Sequence, residues 1–247
     1  MREAFSYMFK DPGFGQKFVP FCFVNFIALL LFGAPQLTSI TSSVPTVLKV
    51  TNPFWYWLPF LGGIISFALF GYATVCIKAI TQKTSDIVLP FFNFKNSILR
   101  GFRFLIATLG FTLIGVFSLF ILTLTQAWLL LILAIIILGG FALIYFNALF
   151  WIFANEERLS SFFAWKKATR YIKQNLKQYL NNLGIIILIN LIASTLSGII
   201  MYTMNYIFST SHVAWIASSL TGSIISSYVA FVTIYLIAKS IKTDSVV

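Results

Sequence analysis

The lysines and arginines of this chain are distributed unevenly around six long apolar runs. The runs cover about 18–40, 55–80, 104–125, 127–153, 183–207 and 213–238. Each is long enough for a membrane-spanning helix, which needs about 20 apolar residues. If all six cross a membrane, all but one of the 17 lysines and arginines fall on the same side, and Lys49 falls on the other. The sequence therefore predicts an all-α integral membrane protein with six transmembrane helices.

Two of these runs lie next to each other. Only Thr125 and Gln126 separate the third run from the fourth, and together the two are far longer than one span of about 20 residues. We therefore predict two helices joined by a tight turn. An even number of spans returns the chain to its starting side, and positively charged residues are retained in the cytoplasm. Both termini are accordingly expected to be cytoplasmic.

The composition excludes an ordinary water-soluble domain. Hydrophobic residues make up 59% of the chain and charged residues only 9%, whereas a soluble domain has about 25% charged residues. The formal net charge of +11 would suggest nucleic acid in a soluble protein. Here the basic residues flank apolar runs, which is typical of contact with anionic membrane lipids. We predict one membrane domain over 1–247, no separate soluble domain and no nucleic-acid partner.

A basic segment precedes each successive pair of spans, so the six spans are predicted to form three hairpins. The segments cover 1–17, 86–103 and 159–181. In the third, an apolar stripe and a basic stripe recur at helical spacing, about 100° apart. The apolar stripe consists of Trp165, Ala168, Ile172, Leu176 and Tyr179, and the basic stripe of Lys166, Arg170, Lys173 and Lys177. The second segment repeats the pattern more weakly, with Lys95, Arg100 and Arg103.

Two interpretations of these basic segments stay open. An amphipathic helix of this kind can lie in the headgroup layer, with its apolar face toward the membrane core and its cations beside anionic lipid. It can also bind a cytoplasmic protein, as the coupling helices of transporters do, and 159–181 is the segment predicted for that contact. Both interpretations assign the basic residues to a lipid- or partner-facing surface.

Residues that carry membrane-embedded chemistry are missing from the predicted spans. All six acidic residues lie outside the runs, and the single histidine, His212, lies between the fifth and the sixth. The two cysteines, Cys22 and Cys76, form no CxxC motif, so a structural zinc site is not expected. Buried ionisable groups usually mark proton and ion paths. We therefore predict a protein that is not an enzyme, without catalytic residues, metal or cofactor.

Uncharged polar residues remain within or near the spans. The asparagines are Asn25 in span one, Asn147 in span four, and Asn190 and Asn205 in span five. An asparagine in hydrocarbon requires a hydrogen-bonding partner, which predicts contacts between helices. The alternative is a polar pathway, which requires several of these side chains to converge. Small residues in spans five and six predict close contact between those two spans, and a homo-oligomer stays open.

Three short motifs resemble those of a known family. They are Lys10-Asp11-Pro12 followed by Phe14 and Lys17, Gly71-Tyr72, and Leu89-Pro90 with Phe92 followed by Gly101-Phe102. Over about the first hundred residues the chain resembles an uncharacterised multi-pass prokaryotic membrane-protein family, a domain of unknown function with a Lys-Asp-Pro opening, a Gly-Tyr segment and a Leu-Pro loop. Many members have tryptophan after Asp-Pro, where this chain has Gly13-Phe14. The resemblance implies a bacterial or archaeal plasma membrane and supplies no activity.

Two functions fit these features. The first is a non-enzymatic membrane protein that acts as an accessory subunit, a scaffold or a lipid-interacting organiser. The alternative is the membrane subunit of a transporter or permease energised by a separate ATPase, since the chain has no P-loop motif of its own. A permease is expected to direct polar side chains into a shared cavity, and a scaffold to have a filled, phenylalanine-rich interior.

Overall fold

The computed structural model describes residues 2–11, 13–40, 54–82, 89–124, 128–207 and 211–241. Within these ranges the chain is helical and contains no strand, which confirms the all-α prediction. The described residues form eight α-helices: α1 (Arg2–Ser6), α2 (Phe14–Ile40), α3 (Phe54–Gln82), α4 (Phe94–Leu124), α5 (Trp128–Glu156), α6 (Trp165–Gln174), α7 (Leu176–Ile207) and α8 (Ser211–Lys239). Short 3-10 turns, Met8–Lys10 and Leu159–Phe163, precede α2 and α6.

Within the described residues, five helices are long and apolar enough to cross a membrane. Their apolar stretches are Phe14–Leu31 in α2, Trp57–Gln82 in α3, Ile132–Glu156 in α5, Leu176–Met204 in α7 and Ile216–Lys239 in α8. These helices confirm a membrane protein. The third predicted span, about 104–125, falls mainly on α4, several of whose side chains lie outside the described part of the structure. The total of six spans therefore stays a prediction.

Helices α3 and α8 form the centre of the bundle. Buried residues make up 44% of the apolar stretch of α3 and 50% of that of α8, against 11% for α5 and 17% for α7. α2 packs along both α3 and α8, α4 packs along α3, and α7 packs along α8. α4 meets α3 more extensively than it meets α5, and the arrangement as three hairpins stays a prediction.

The second and third basic segments differ in structure. The second is continuous with a long helix, because α4 already includes Lys95, Arg100 and Arg103. In the third, a 3-10 turn leads into α6, and Asn175 separates α6 from α7. The predicted stripes are therefore divided between two helices, since the backbone of Asn175 (φ −120°, ψ 25°) leaves the helical conformation.

Aromatic rings fill the interior in two clusters. The first lies between α2, α3 and α8 and contains Phe14, Phe18, Phe21, Tyr72, Phe92 and Phe231. The second lies between α4, α5 and the turn before α6 and contains Phe104, Phe146, Phe150, Phe153 and Phe162. Each ring pair of this kind adds about 0.5–1.5 kcal/mol beyond the burial of its area. The clusters therefore fix the positions of the helices that surround them.

Helices α3 and α4 touch through their backbones at two glycines. A Cβ placed on Gly71 would overlap the carbonyl oxygen of Ser97, and a Cβ placed on Gly101 would overlap the carbonyl group of Phe67. Glycine at a helix interface in a membrane permits this approach because it has no side chain. The contact fixes α3 against α4 and thereby positions the loop that joins them.

Gly101→Ala is expected to destabilise the bundle, because the added methyl group forces α3 and α4 apart, and such overpacking costs about 1–3 kcal/mol. The measurement is the midpoint of thermal unfolding of the purified protein in detergent, followed by tryptophan fluorescence. Gly139→Ala in α5 is the matched control, since a Cβ there meets no atom within 4 Å. Equal midpoints for the two variants would contradict the backbone contact.

Candidate functional site

One end of the bundle gathers the described lysines and arginines, and we call it the basic end. It comprises the first turns of α2, α4 and α7, the last turns of α3, α5 and α8, and α6 with the turn before it. Glu157, just after α5, pairs with Lys78 of α3 at 2.8 Å and with Arg100 of α4 at 3.4 Å. The side-chain amide of Gln178 in α7 donates to the backbone carbonyl of Lys239 in α8. The contacts of Glu157 join the ends of α3, α4 and α5, and the contact of Gln178 joins α7 to α8.

Two acidic side chains at the C-terminal end of α5 are bound to cations of the basic end. The carboxylate of Glu156 pairs with Lys167 and accepts a hydrogen bond from the hydroxyl of Ser161 at 2.7 Å. The neighbouring Glu157 has a φ of 56°, a left-handed conformation that costs a non-glycine residue about 1–3 kcal/mol. The hydrogen bond from Lys78, together with the charge of Arg100, holds the pKa of the Glu157 carboxyl below its usual value. The ion pairs of Glu156 and Glu157 stabilise the strained backbone turn that follows α5.

A fully buried ion pair lies where the N-terminal segment meets the loop before α4. Lys17 Nζ is 2.7 Å from Asp11 Oδ2, and each side chain is only 2% exposed. The same carboxylate accepts hydrogen bonds from the backbone N–H groups of Gly13 and Leu89, both at 2.9 Å. Burial by itself would raise the pKa of Asp11, but the hydrogen bonds from Lys17, Leu89 and Gly13 lower it. A buried charge requires such partners. Because one of them is Leu89, the Asp11 carboxylate joins the N-terminal segment to the loop before α4.

The three motifs of the family resemblance meet around this ion pair. The hydroxyl of Tyr72, which follows the first glycine of the α3–α4 contact, donates to the carbonyl of Pro90 at 2.7 Å. Leu89, beside Pro90, donates to Asp11, and Lys17 lies over the ring of Phe91. Asp11 of the first motif, Tyr72 of the second and Leu89 with Pro90 of the third therefore share one structural role, which is to hold the loop before α4 against α2 and α3.

Most of the predicted basic residues are exposed at the basic end. Of the seven residues predicted for this surface, six have exposed side chains that form no ion pair within the described structure: Lys95, Arg103, Lys166, Arg170, Lys173 and Lys177. We call these six residues the exposed basic surface. Arg100 differs from them, because it is half-buried and contacts Glu157. Exposed ammonium and guanidinium groups bind phosphate and carboxylate groups, so this surface is suited to an anionic ligand or partner.

Helix α6 packs its apolar side against α5. Its buried residues are Ala168, Tyr171 and Ile172. The ring of Tyr171 meets that of Trp151 edge to face, with centroids 5.4 Å apart, and the ring of Trp165 lies 5.3 Å from that of Phe141. The apolar stripe therefore faces the aromatic rings of α5, whereas the sequence pattern predicted contact with the membrane core. Leu176, which was predicted in the same stripe, is exposed in α7.

Asn25 joins the first long helix to the last. Its side-chain amide nitrogen lies 2.8 Å from the hydroxyl oxygen of Ser226 and 3.0 Å from that of Ser227, and 3.3 Å from the backbone carbonyl of Ser223. Small residues of α8 thus contact α2, in addition to the packing of α8 along α7. Asn25 forms a contact between helices at this position.

Two other asparagines share a groove between α5 and α7. Asn147 and Asn190 both line this space, whose volume is about 590 Å³. The side chain of Asn190 also donates to the carbonyl of Ile186 within its own helix, at 2.8 Å. The side chain of Asn205 lies outside the described residues. The structure therefore brings together two of the four predicted asparagines and places Asn25 elsewhere.

The described residues include few kinds of side chain that could bind a ligand. Among them, no three histidine, cysteine, aspartate or glutamate side chains could hold a metal ion. Cys76 is fully buried, and Cys22 is partly buried. His212, the single histidine, has a side chain outside the described part of the structure. The exposed basic surface is accordingly the candidate functional site.

A family model matches more than half of the chain. It is described as a protein of unknown function, DUF4013, and it matches residues 54–202. The matched region runs from the start of α3 into α7, so it includes Gly71-Tyr72 and Leu89-Pro90 but begins after Lys10-Asp11-Pro12. The resemblance to an uncharacterised family is confirmed, and the match extends well beyond the first hundred residues. No curated protein and no solved structure matches the chain.

Asp11→Asn is expected to destabilise the protein strongly, because it leaves the buried ammonium group of Lys17 without its counter-charge. Removing one partner of a buried ion pair costs about 3–5 kcal/mol. The thermal unfolding midpoint in detergent at pH 7 measures the loss. Glu3→Gln is the control, since Glu3 is exposed and forms no ion pair with the described residues.

The pH dependence of the unfolding midpoints of the wild type and of Asp11→Asn identifies the group responsible for the difference between them. The pKa of Asp11 in the folded protein lies below its ordinary value, which is about 3.9. Its stabilising effect is therefore complete above about pH 4 and is lost as the pH falls through the lowered pKa. The difference in midpoint between wild type and Asp11→Asn should stay constant between about pH 7 and pH 5 and shrink only in stronger acid. A difference that already shrinks near pH 6 would contradict this assignment.

Proposed function

The chain belongs to the DUF4013 family of proteins of unknown function, and we propose that it is a non-enzymatic multi-pass membrane protein. It acts as an accessory subunit, a scaffold or a lipid-interacting organiser, without catalytic residues or a cofactor. Its working surface is the exposed basic surface. The observation that carries the proposal is the separation of charge at the basic end, where Asp11, Glu156 and Glu157 are paired within the bundle and the six cations of the exposed basic surface form no ion pair with the described residues.

This separation of charge supports contact with anionic membrane lipids. Asp11, Glu156 and Glu157 are each paired with a cation of the bundle, so they do not neutralise the exposed basic surface. A lysine or arginine near a membrane surface contributes about 1 kcal/mol of attraction to anionic lipid. The six residues of the exposed basic surface lie on neighbouring elements. Together they favour binding to a membrane with anionic headgroups over binding to a neutral membrane.

The aromatic packing of the interior supports a scaffold more than a conduit. The two aromatic clusters lie between the central helices, and the cavity of about 340 Å³ that remains between α2, α3, α5 and α8 is lined mainly by apolar residues. The groove lined by Asn147 and Asn190 lies between α5 and α7, whose apolar stretches are only 11% and 17% buried. A scaffold requires helices held rigidly in place, whereas transport requires polar groups along a path through the bundle. The packing therefore favours a structural role.

The basic end is proposed to face the cytoplasm, with both termini on that side of a bacterial or archaeal plasma membrane. Lysine and arginine are retained in the cytoplasm during insertion, and the described lysines and arginines gather at this end. The cytoplasmic leaflet also carries anionic lipid, which complements the exposed basic surface.

A cytoplasmic protein is the second kind of partner in this proposal. α6 is held against α5 by Trp165 and Tyr171, so its exposed cations have fixed positions. Lys166, Arg170 and Lys173 lie on the side of α6 away from this packing. An acidic surface on a partner would complement them, and such docking would make the chain an accessory subunit.

A transporter or permease subunit energised by a separate ATPase is the alternative. It is favoured by one observation, the groove that Asn147 and Asn190 share. In this case the ATPase would bind at 159–181, and the two amides would contact the substrate. The identity of a protein bound at α6 distinguishes the two functions.

Replacing the cations of α6 is expected to weaken binding of anionic lipid or of a protein partner. The variant is Lys166→Gln, Arg170→Gln and Lys173→Gln combined, since it removes three charges of the exposed basic surface. The protein is purified from its native membrane in lipid discs, and co-purifying lipids and proteins are quantified by mass spectrometry. We expect a reduction in anionic lipid, in a stoichiometric partner, or in both.

The matched control combines Ser160→Ala, Gln174→Ala and Asn181→Ala, three exposed and uncharged positions of the same region. Its lipids and partners should equal those of the wild type. A stoichiometric ATPase that is lost only from the charge variant would favour the permease function. If the charge variant co-purifies with the same lipids and proteins as the wild type, this would contradict both lipid binding and partner binding by this surface.

The orientation is tested by labelling single cysteines in intact bacterial cells with a membrane-impermeant thiol reagent, after both native cysteines are replaced by alanine. Tyr206→Cys, near the opposite end of α7 and 83% exposed in the wild type, should react. Lys173→Cys at the basic end should react only after the cells are permeabilised. The reverse pattern would place the basic end outside the cell.

A further inference from the structure

An apolar groove separate from the asparagine groove runs between α3 and α4. Its volume is about 590 Å³, within the range of about 300–1,000 Å³ that is typical of small-molecule sites. It is lined by Pro59, Phe60, Gly63, Ile64 and Phe67 of α3 and by Ile98, Leu99, Phe102 and Leu105 of α4. Every lining side chain is apolar, so the groove is suited to a hydrocarbon ligand.

The shape of this groove depends on glycine. Phe67, whose carbonyl lies against Gly101 in the helix contact, is also part of the groove wall. On the same side of α3, Gly63 contributes no side chain, and a Cβ built there meets no atom within 4 Å. The part of α3 from Pro59 to Phe67 extends along about 12 Å of helix axis, since each residue of a helix rises 1.5 Å. The groove is therefore elongated along the helices.

A lysine lies on the same face of α4 as the groove. Lys95 precedes Leu99 by four residues and Phe102 by seven, and residues at these spacings share one helix face. Its side chain is exposed and forms no ion pair in the described structure. Its place in the first turn of α4 opposes the helix dipole, so it does not stabilise the helix. It places a positive charge at the basic end of an apolar groove.

We infer that this groove is a binding site for one anionic phospholipid, with an acyl chain between α3 and α4 and the phosphate group beside Lys95. A phospholipid combines a long apolar part with an anionic group at one end, and the site combines an apolar groove with a cation at one end. The inference deepens the proposed function and rests on its contact with anionic lipid, because it assigns a defined site to one lipid molecule.

Two substitutions change the two parts of this site separately. Gly63→Leu adds a side chain to the wall of the groove at a position where a Cβ meets no atom within 4 Å. Lys95→Gln removes the charge and leaves the groove intact. The matched controls are Gly139→Leu, at an equally open position of α5, and Lys10→Gln, which removes one exposed charge that is not part of the exposed basic surface.

The experiment uses the full chain reconstituted in membranes of equal parts phosphatidylglycerol and phosphatidylcholine. After extraction into mild detergent, native mass spectrometry measures the lipid retained by each protein. We expect one phosphatidylglycerol on the wild type and on both controls. Lys95→Gln and Gly63→Leu should each retain roughly fivefold less phosphatidylglycerol. For Lys95→Gln, this factor corresponds to the loss of one lysine–headgroup contact.

The other outcomes overturn the inference in distinguishable ways. Equal losses in Lys95→Gln and Lys10→Gln would show that overall surface charge attracts the lipid, which leaves the proposed function intact and removes the site. A wild-type dimer that disappears in Gly63→Leu would assign the groove to a second copy of the chain. Equal retention of phosphatidylcholine and phosphatidylglycerol by every variant would contradict the site and also the lipid contact of the proposed function.

Discussion

The buried pair of Asp11 and Lys17 is the interaction on which the arrangement of the basic end depends. An unpaired charge in an apolar interior is far more costly than a paired one, so the chain around this pair must supply partners for both groups. The Asp11 carboxylate binds Lys17 and two backbone N–H groups, one of them from Leu89, which lies beyond the whole of α3. Tyr72 and the α3–α4 glycine contact hold this loop in place. The ion pair and the close helix contact therefore support each other.

The same physical rule organises the rest of the basic end. Glu157 binds cations from α3 and α4, and Glu156 binds one from α6, so acids act as internal connections between helices. The remaining cations need no protein partner, because water or lipid headgroups can solvate them at the surface. A bundle with few acids and many bases thus acquires a positive surface as a consequence of its own packing. The proposed function and the inferred lipid site both use this surface.

The sequence predicted the helices well because membrane thickness sets the length of an apolar run. The predicted span 55–80 corresponds to Phe54–Gln82, and 213–238 to Ser211–Lys239. The surroundings of α6 could not be predicted, since lipid and the aromatic rings of α5 are equally apolar and favour the same stripe of residues. The partners of Glu157 could not be predicted either. Lys78 lies 79 residues away in the chain, and only the packing of α3 against α5 brings it close. Local patterns predict elements, and their contacts depend on distant residues.

The N-terminal part of the chain contacts α8 at two places. The hydroxyl of Tyr7 donates to the backbone carbonyl of Phe231 at 2.9 Å, and Asn25 lies against Ser226 and Ser227. A chain that is made from its N-terminus therefore produces the beginning of this interface long before its end. Until α8 is inserted, the polar side chain of Asn25 and the ring of Tyr7 lack their final partners. α8, which is made after α2, thus completes the environment of α2, and the two helices reach their final packing only when both are present.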